Sequence, residues 1–526
     1  MLLSPATLVA LVVLAALTRI AVYVADRSLT TDEAFIALNV ERRSAARLTG
    51  ELDWNQAAPL AFLEIQKGVT GVFGSSEYAL RAAPFVASLV ALVLFTRLAV
   101  IVVEDSAALL AVFAFTGIAL VTSYAAVAKP YSFDILITML LYLSTLDVLR
   151  NEKSSSIAML TVTGAIGPLF SYASIFVIAA SATVLSIDAL VSRRRKDLIA
   201  AFIVAGSWST LLLISYVLHA STMSHIRRSF RYETLTSLAS LRDAAGSLRE
   251  VLGVSPHSNH LDYGNGLGST LATAAAACAA LFIILGALRL VRSQWRTAAL
   301  LLLPGIYALV ASAAGWYPVL PGAILFFAPT IAILIAGGFR VLLRRSESLA
   351  VQAMVIGMFA ILIVAEVAST VNGIASVRRN EGMKPVMSML ADQQDDYDTV
   401  YLDFASQYAF AHYLQCRCAG SKVARATRER LWDVAPAPGS PDQWAPALKP
   451  LTHRFRIGKF HGYELDGLYA DFAHFPRHGR VWVVLSGLRS DQRQTLAAWL
   501  DSRGKRLAGY HESGDVATVS ALLYEF

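Results

Sequence analysis

Through the first three quarters of the chain, apolar stretches of roughly 18 to 22 residues recur between short polar runs. Each is long enough as a helix to cross a hydrocarbon core of about 30 Å. The pattern predicts eleven spans, at about 6–25, 82–103, 107–124, 132–149, 156–172, 174–191, 198–218, 269–288, 298–314, 320–342 and 349–371. Between 156 and 191 only "SYAS" at 171–174 interrupts the apolar run, so two short spans or a broken, re-entrant pair both fit. The run from Leu60 to Val72 is amphipathic instead and is expected to lie along the membrane surface. The last quarter changes character: from about Ser376, strand-like runs ("DTVYLDF" at 398–404, "RVWVVLS" at 480–486, "ALLYEF" at the end) alternate with helix-like ones. "SDQRQTLAAWLDSRGK", 490–505, predicts a Ser/Asp-capped helix, and the Pro-, Gly- and His-containing stretch from Arg425 to Pro476 predicts loops. The expected division is a membrane region, 1–371, with a first outer loop at 26–81, followed by an outer α/β domain, 372–526.

Composition agrees with the spans. The 526 residues are 56% hydrophobic and 16% charged, with a mean hydropathy of +0.54, which marks an integral membrane protein. The first segment, Ala6 to Ala25, lacks a basic leader, contains Arg19 and precedes many further apolar segments, so it reads as a retained helix. The net charge of +7 comes from basic loops: "RNEK" at 150–153, "SRRRK" at 192–196, "RLVRSQWR" at 289–296 and "RRS" at 344–346. With eleven spans and a cytoplasmic N-terminus all four fall on the cytoplasmic side, so topology explains the charge and nucleic acid is not called for. The loops 26–81 and 219–268 and everything after Val371 then face outward. Cys278 reads as core filler, while Cys416 and Cys418 in "QCRC" are too close for an ordinary bridge and too few for a metal site, so a strained bridge between them and two reduced thiols both fit.

Candidate chemistry lies in the outward stretches. "SLTTDEAFIALNV", Ser28 to Val40, places adjacent carboxylates, Asp32 and Glu33, where the chain leaves the first span. One reading is an acidic pair capping the next helix, since "TTDEA" has the form of an N-terminal capping sequence. The other is a partly desolvated, reactive carboxylate at the mouth of a helix bundle. In "AKPYSFD", Ala128 to Asp134, Lys129 and Asp134 flank a Pro130-Tyr131 turn. Lys129 suits a snorkelling anchor, whereas an acid in the first turn of a span is costly unless it meets a polar cavity. "MSHIRRSFRYETL", 223–235, interleaves His225, Arg227, Arg228 and Arg231 with aromatics, which suits either a lipid phosphate or a solvated face near anionic headgroups. "GWYPVLPG", 315–322, offers Trp316 and Tyr317 as belt aromatics or sugar platforms.

A first helix followed by "TTDEAF", "DWNQAAPL" and "FGSSEYALRAAPFVASLVAL" resembles the polyprenyl-phosphate-sugar-dependent glycosyltransferases of the GT-C fold. That superfamily includes the protein O-mannosyltransferases and the lipid A aminoarabinose transferases. The resemblance extends to "AVAKPYSFD", to "WYPVLPGAILFFAP", and to the stretch from Ser376 to Leu414, which is similar to the junction with an external domain in bacterial members. It covers most of the chain, with the sharpest motifs in the first 135 residues.

The resemblance implies a multi-pass inner-membrane enzyme that moves a sugar from a polyprenyl phosphate to a lipid, glycan or protein acceptor outside. It implies Asp32 as general base with Glu33 as its polar neighbour, and it places Lys129, Tyr131 and Asp134 near the substrates. Arg81 matches an Arg that begins the second helix of relatives, in a structural or a substrate role. Many bacterial members carry an Arg shortly after the Tyr317-Pro318 turn. Here Pro321, Gly322 and Ala323 stand in that neighbourhood, and Arg227, Arg228 or Arg231, in the cluster with His225, are the alternative phosphate ligands.

The chemistry suits these residues: phosphate leaves readily, so one carboxylate base suffices and a single displacement inverts the anomeric carbon. It leaves room for a divalent cation, Mg or Mn, between Asp32 and the phosphate, although no protein cage for one is visible. Two rival classes are a transporter or flippase of lipid-linked sugar and a non-catalytic envelope-assembly protein. Transporters often show paired broken spans in two related halves, and the sequence shows no such symmetry.

Overall fold

The structure, a computed structural model, describes residues 5–103, 105–151, 154–192, 208, 245–248, 257–258, 261–262, 267–345, 348–377, 382–416, 433–442, 445–460, 465–473, 479–488, 490–511 and 519–526. The chain forms two compact units. The first comprises Met1–Val24, Ala58–Phe62 and Ala82–Ile374; the second comprises Ala25–Ala57, Leu63–Arg81 and Ala375–Phe526.

The first unit is helical. Among the described residues, seven helices are long and apolar enough to cross a membrane: Ala6–Val24, Glu77–Val102, Tyr131–Arg150, Ser174–Ser192, Thr270–Ser293, Trp295–Ala313 and Leu325–Arg344. Ser155–Phe170 and Leu349–Ala365 are shorter apolar helices. Their exposed side chains are largely apolar, for example Val13, Leu14, Val93 and Val310, as lipid-facing surfaces require. The chain is thus a multi-pass α-helical membrane protein. The expected span 198–218 lies, apart from Trp208, outside the described residues.

Two spans differ from expectation. The run 107–124 is a helix to Gly117 and a second piece from Ala119, bent by 66°. Ile118 at the break has extended ψ, 101°, and follows a glycine, the weakest helix former after proline. A run that is apolar throughout conceals such a break, because hydropathy is blind to it. The expected start at 320 is also too early. Pro321 and Gly322 fall in turns, a 3-10 turn follows at Leu325–Phe327, and the α-helix begins at Ala328.

Close helix packing fixes the bundle. A Cβ at Gly286 would collide with the Leu334 carbonyl, and one at Gly338 with the Phe282 carbonyl. Helices Leu267–Ser293 and Ala328–Arg345 therefore meet backbone to backbone, the small-residue packing typical of membranes.

The second unit is an α/β sandwich. Its five-stranded sheet has the order Phe455–Ile457, Thr399–Leu402, Arg480–Leu485, Ser520–Glu525 and Lys505–His511. The first three strands are parallel and the last two antiparallel to their neighbours. Alternation along "RVWVVL" sends Val481, Val483 and Leu485 to a layer with Leu496 and Leu500. It sends Trp482 and Val484 to the opposite layer with Met387, Tyr408 and Phe410. The helix expected over 490–505 ends at Asp501, and Lys505 already opens a strand. Ala34, Leu38 and Trp54 of the loop after the first span belong to the Trp482 layer, so the helix Thr31–Arg42 is part of this sandwich.

Candidate functional site

Thr30 starts the helix Thr31–Arg42 with a reciprocal capping box. The Glu33 backbone N–H donates to Thr30 Oγ1 (3.2 Å), and the Thr30 N–H donates to Glu33 Oε2 (3.1 Å). Thr30→Ala removes one half of this box and is expected to lower stability by about 1 kcal/mol, read as a fall in the thermal midpoint.

The Glu33 carboxylate, with no exposed surface, is gripped by Arg81. Nε donates to Oε1 and Nη2 to Oε2, each at 2.7 Å. The same guanidinium donates to the carbonyls of Arg27 (2.8 Å) and Ser28 (3.1 Å). Glu33 is thereby committed to holding the turn. Asp32 lies about 100° further round the helix, away from this clamp. It is exposed and has no side-chain partner among the described residues. The capping reading of "TTDEA" therefore falls on Glu33, and Asp32 is the accessible carboxylate.

A second clamp secures the same turn. Lys384 Nζ lies 2.7 Å from Glu77 Oε1 and 3.1 Å from Asp26 Oδ2, and it donates to the Asp26 carbonyl. The Tyr413 hydroxyl donates to Glu77 Oε1 (2.6 Å) and accepts from the Leu29 N–H (2.9 Å). These contacts hold Asp26 at a positive φ of 47°.

The far end of the helix is anchored as well. Arg42 donates to Gln415 Oε1 and to the carbonyls of Ala437 and Ala447, and lies over the Trp54 ring. His412 Nδ1 lies 2.9 Å from Glu41 Oε1, with the imidazole fully buried. Burial opposes a charge on His412, but Glu41 outweighs it and raises the pKa above the ordinary histidine value. This contribution is fully present below the unfolded pKa and is lost as pH rises through the higher folded one. The thermal midpoint is therefore expected to fall as pH rises above neutrality, and His412→Gln to flatten that slope.

The first unit carries a separate polar and aromatic cluster. Asp134, in the first turn of Tyr131–Asn151 and 6% exposed, is hydrogen-bonded to the Ser171 side chain in the "SYAS" break. Tyr131 stacks on Tyr124 at 4.9 Å, and its ring occupies the space a Cβ at Gly322 would need. Tyr317 donates to the Ala323 carbonyl at 2.6 Å and meets Phe176 edge-on. Burial first, and then nearby Asp134, push the Tyr317 phenol well above its ordinary pKa, so it stays a donor. The "AKPYSFD" and "WYPVLPG" turns therefore come together through Tyr131, Asp134 and Tyr317, with Lys129 half-buried beside Pro130.

Asp32, Glu33 and Arg81 thus belong to the second unit, and Lys129, Tyr131, Asp134 and Tyr317 to the first. His225, Arg227, Arg228, Arg231 and Cys418 lie outside the described residues; Cys278 is buried and free. Sequence reasoning assigned no role to Lys384, Tyr413 or His412, although all three lie in the stretch from Ser376 to Leu414. Among the described residues no three His, Cys, Asp or Glu side chains converge as a metal site. With Glu33 committed to Arg81, the described residues do not fit a protein-only cation cage.

No family model matches the chain, and no curated protein matches it. Solved structures do. ArnT from Cupriavidus metallidurans, bound to undecaprenyl phosphate, is 13% identical with a TM-score of 0.48, over 99% of this chain and 98% of that one. The Archaeoglobus fulgidus oligosaccharyltransferase in the apo form is 12% identical with a TM-score of 0.47, over 77% of this chain and 63% of that one. The archaeal oligosaccharyltransferase AglB from the same organism, in complex with an inhibitory peptide and a dolichol phosphate, is 12% identical with a TM-score of 0.45, over 76% and 63%.

Proposed function

We propose that this chain is a GT-C membrane glycosyltransferase that moves a hexosyl or pentosyl group from a polyprenyl phosphate to a lipid, glycan or protein acceptor on the outer face of the membrane. The observation that carries the reading is the exposed carboxylate of Asp32 on the first turn of a helix whose adjacent acid, Glu33, is locked to Arg81. An unpaired acid on a rigid frame is what a general base needs.

In the proposed step Asp32 accepts the proton of the acceptor hydroxyl as that oxygen bonds to the anomeric carbon. The bond from that carbon to the phosphate oxygen breaks, the phosphate keeps the electron pair, and the carbon inverts. Glu33 and Arg81 position Asp32. Lys129, Tyr131, Asp134 and Tyr317 bind the donor's head, with Lys129 offsetting phosphate charge. His225, Arg227, Arg228 and Arg231 are further phosphate ligands in this reading. Transfer measured with and without a chelator tests whether a divalent cation takes part.

The rival reading as a transporter of lipid-linked sugar has one broken span in its favour, the bend at Ile118. Deleting the gene and comparing envelope glycans and glycolipids by mass spectrometry tests the proposed reading. Loss of one sugar from its acceptor, with its lipid-linked donor accumulating, is expected of a transferase. An unaltered set of glycans contradicts it.

A further inference from the structure

We propose that the end of the first unit bearing the basic loops binds the headgroup of an anionic phospholipid, in a cavity of about 280 Å³ lined by two guanidinium groups. Leu146, Leu149 and Arg150 of Tyr131–Asn151 form one wall; Trp295, Arg296 and Thr297 of Trp295–Ala313 form another. Among the described residues no carboxylate lines it.

The two cations are not equivalent. Arg296 lies 2.5 Å from Asp188 and is largely neutralised. Arg150 spends one donor on the Ile101 carbonyl, at 3.2 Å, and has no carboxylate partner among the described residues. Its remaining donors suit phosphate oxygens, which a planar guanidinium binds in pairs. The first turn of Trp295–Ala313 adds to this field, because Gln294 supplies no side-chain cap to its free N–H groups.

Size and surroundings point to a lipid as the source of the phosphate. The cavity suits a glycerophosphate headgroup and is too small for acyl chains. Beside it Leu288, Val291 and Trp295 are 46%, 50% and 40% exposed, an apolar surface along which such chains can lie. Arg150 and the run "RLVRSQWR", which contribute to its walls, belong to the basic stretches that the charge rule places at the leaflet richest in anionic lipids. The site is separate from the proposed reaction centre: Arg150 lies 16 residues, about 24 Å of helix, beyond Asp134.

The test is a thermal-shift titration of the purified full-length protein with phosphatidylglycerol, phosphatidylcholine or inorganic phosphate, repeated for Arg150→Gln and Arg150→Lys. Phosphatidylglycerol is expected to raise the midpoint, and phosphatidylcholine to leave it unchanged. Arg150→Gln should weaken the phosphatidylglycerol response about tenfold or more, with Arg150→Lys between. Melts without lipid report folding, and Arg150→Lys carries the comparison if the Gln variant is unfolded. A response to inorganic phosphate alone overturns the lipid assignment. An equal response to both lipids, or undiminished phosphatidylglycerol binding in both variants, overturns the site.

Discussion

Asp32→Asn is expected to reduce sugar transfer by about a hundredfold to ten-thousandfold, the usual contribution of a positioned general base, while leaving the protein folded. The expectation follows from the separation of roles within one dipeptide. Glu33 carries the cap and the buried ion pair, whereas Asp32 is exposed and has no side-chain partner among the described residues, so its amide variant breaks no described contact. Surface substitutions of this kind change stability by less than about 0.5 kcal/mol, with a further few tenths from losing a negative charge at a helix N-terminus. Turnover at saturating donor, paired with a thermal melt, checks both halves. Undiminished turnover in a folded variant removes Asp32 from the mechanism.

Arg81→Ala produces the opposite pattern, a loss of folded protein. It leaves the buried Glu33 carboxylate with the more distant Arg27 guanidinium, 3.9 Å away, in place of its bidentate partner and frees the carbonyls of Arg27 and Ser28. Breaking a buried pair from one side costs about 3 to 5 kcal/mol, a large share of a typical folding free energy. Arg81→Lys restores the charge but not the paired geometry and should recover only part. The double variant Glu33→Gln with Arg81→Met should be more stable than Arg81→Ala, because no uncompensated charge is left buried. Chemical denaturation of the three variants reads this order. Similar midpoints for Arg81→Ala and the wild type would show that the clamp contributes little.

The frame of the molecule was legible because it depends on local pattern. Ten of the eleven expected apolar runs coincide with helices among the described residues, including the separate Ser154–Phe170 and Ser174–Ser192 that "SYAS" divides. The amphipathic run from Leu60 is the helix Leu60–Phe73. "RVWVVLS" and "ALLYEF" are adjacent strands of one sheet. Hydropathy missed the bend at Ile118 and the late start at Ala328, where backbone geometry changes while side chains stay apolar.

The candidate site was legible only in part, for a different reason. The capping form of "TTDEA" could be read because its partners lie three residues apart. The Glu33–Arg81 pair spans 48 residues and the Tyr413 bond to Leu29 spans 384. No periodicity in a single sequence reports such a pairing. Asp134 shows what sequence chemistry can supply: an acid in the first turn of a span required a polar neighbour, and the structure provides Ser171 and Tyr317.

The central claim, that this chain transfers sugar from a polyprenyl phosphate, is tested most directly by following release of free polyprenyl phosphate. Purified protein is incubated with a polyprenyl-phosphate sugar and an envelope extract as acceptor. The account predicts release in step with sugar appearing on one acceptor, and loss of both in Asp32→Asn. No release with any polyprenyl-phosphate sugar would contradict it, whereas release that persists in a folded Asp32→Asn would remove Asp32 from the step.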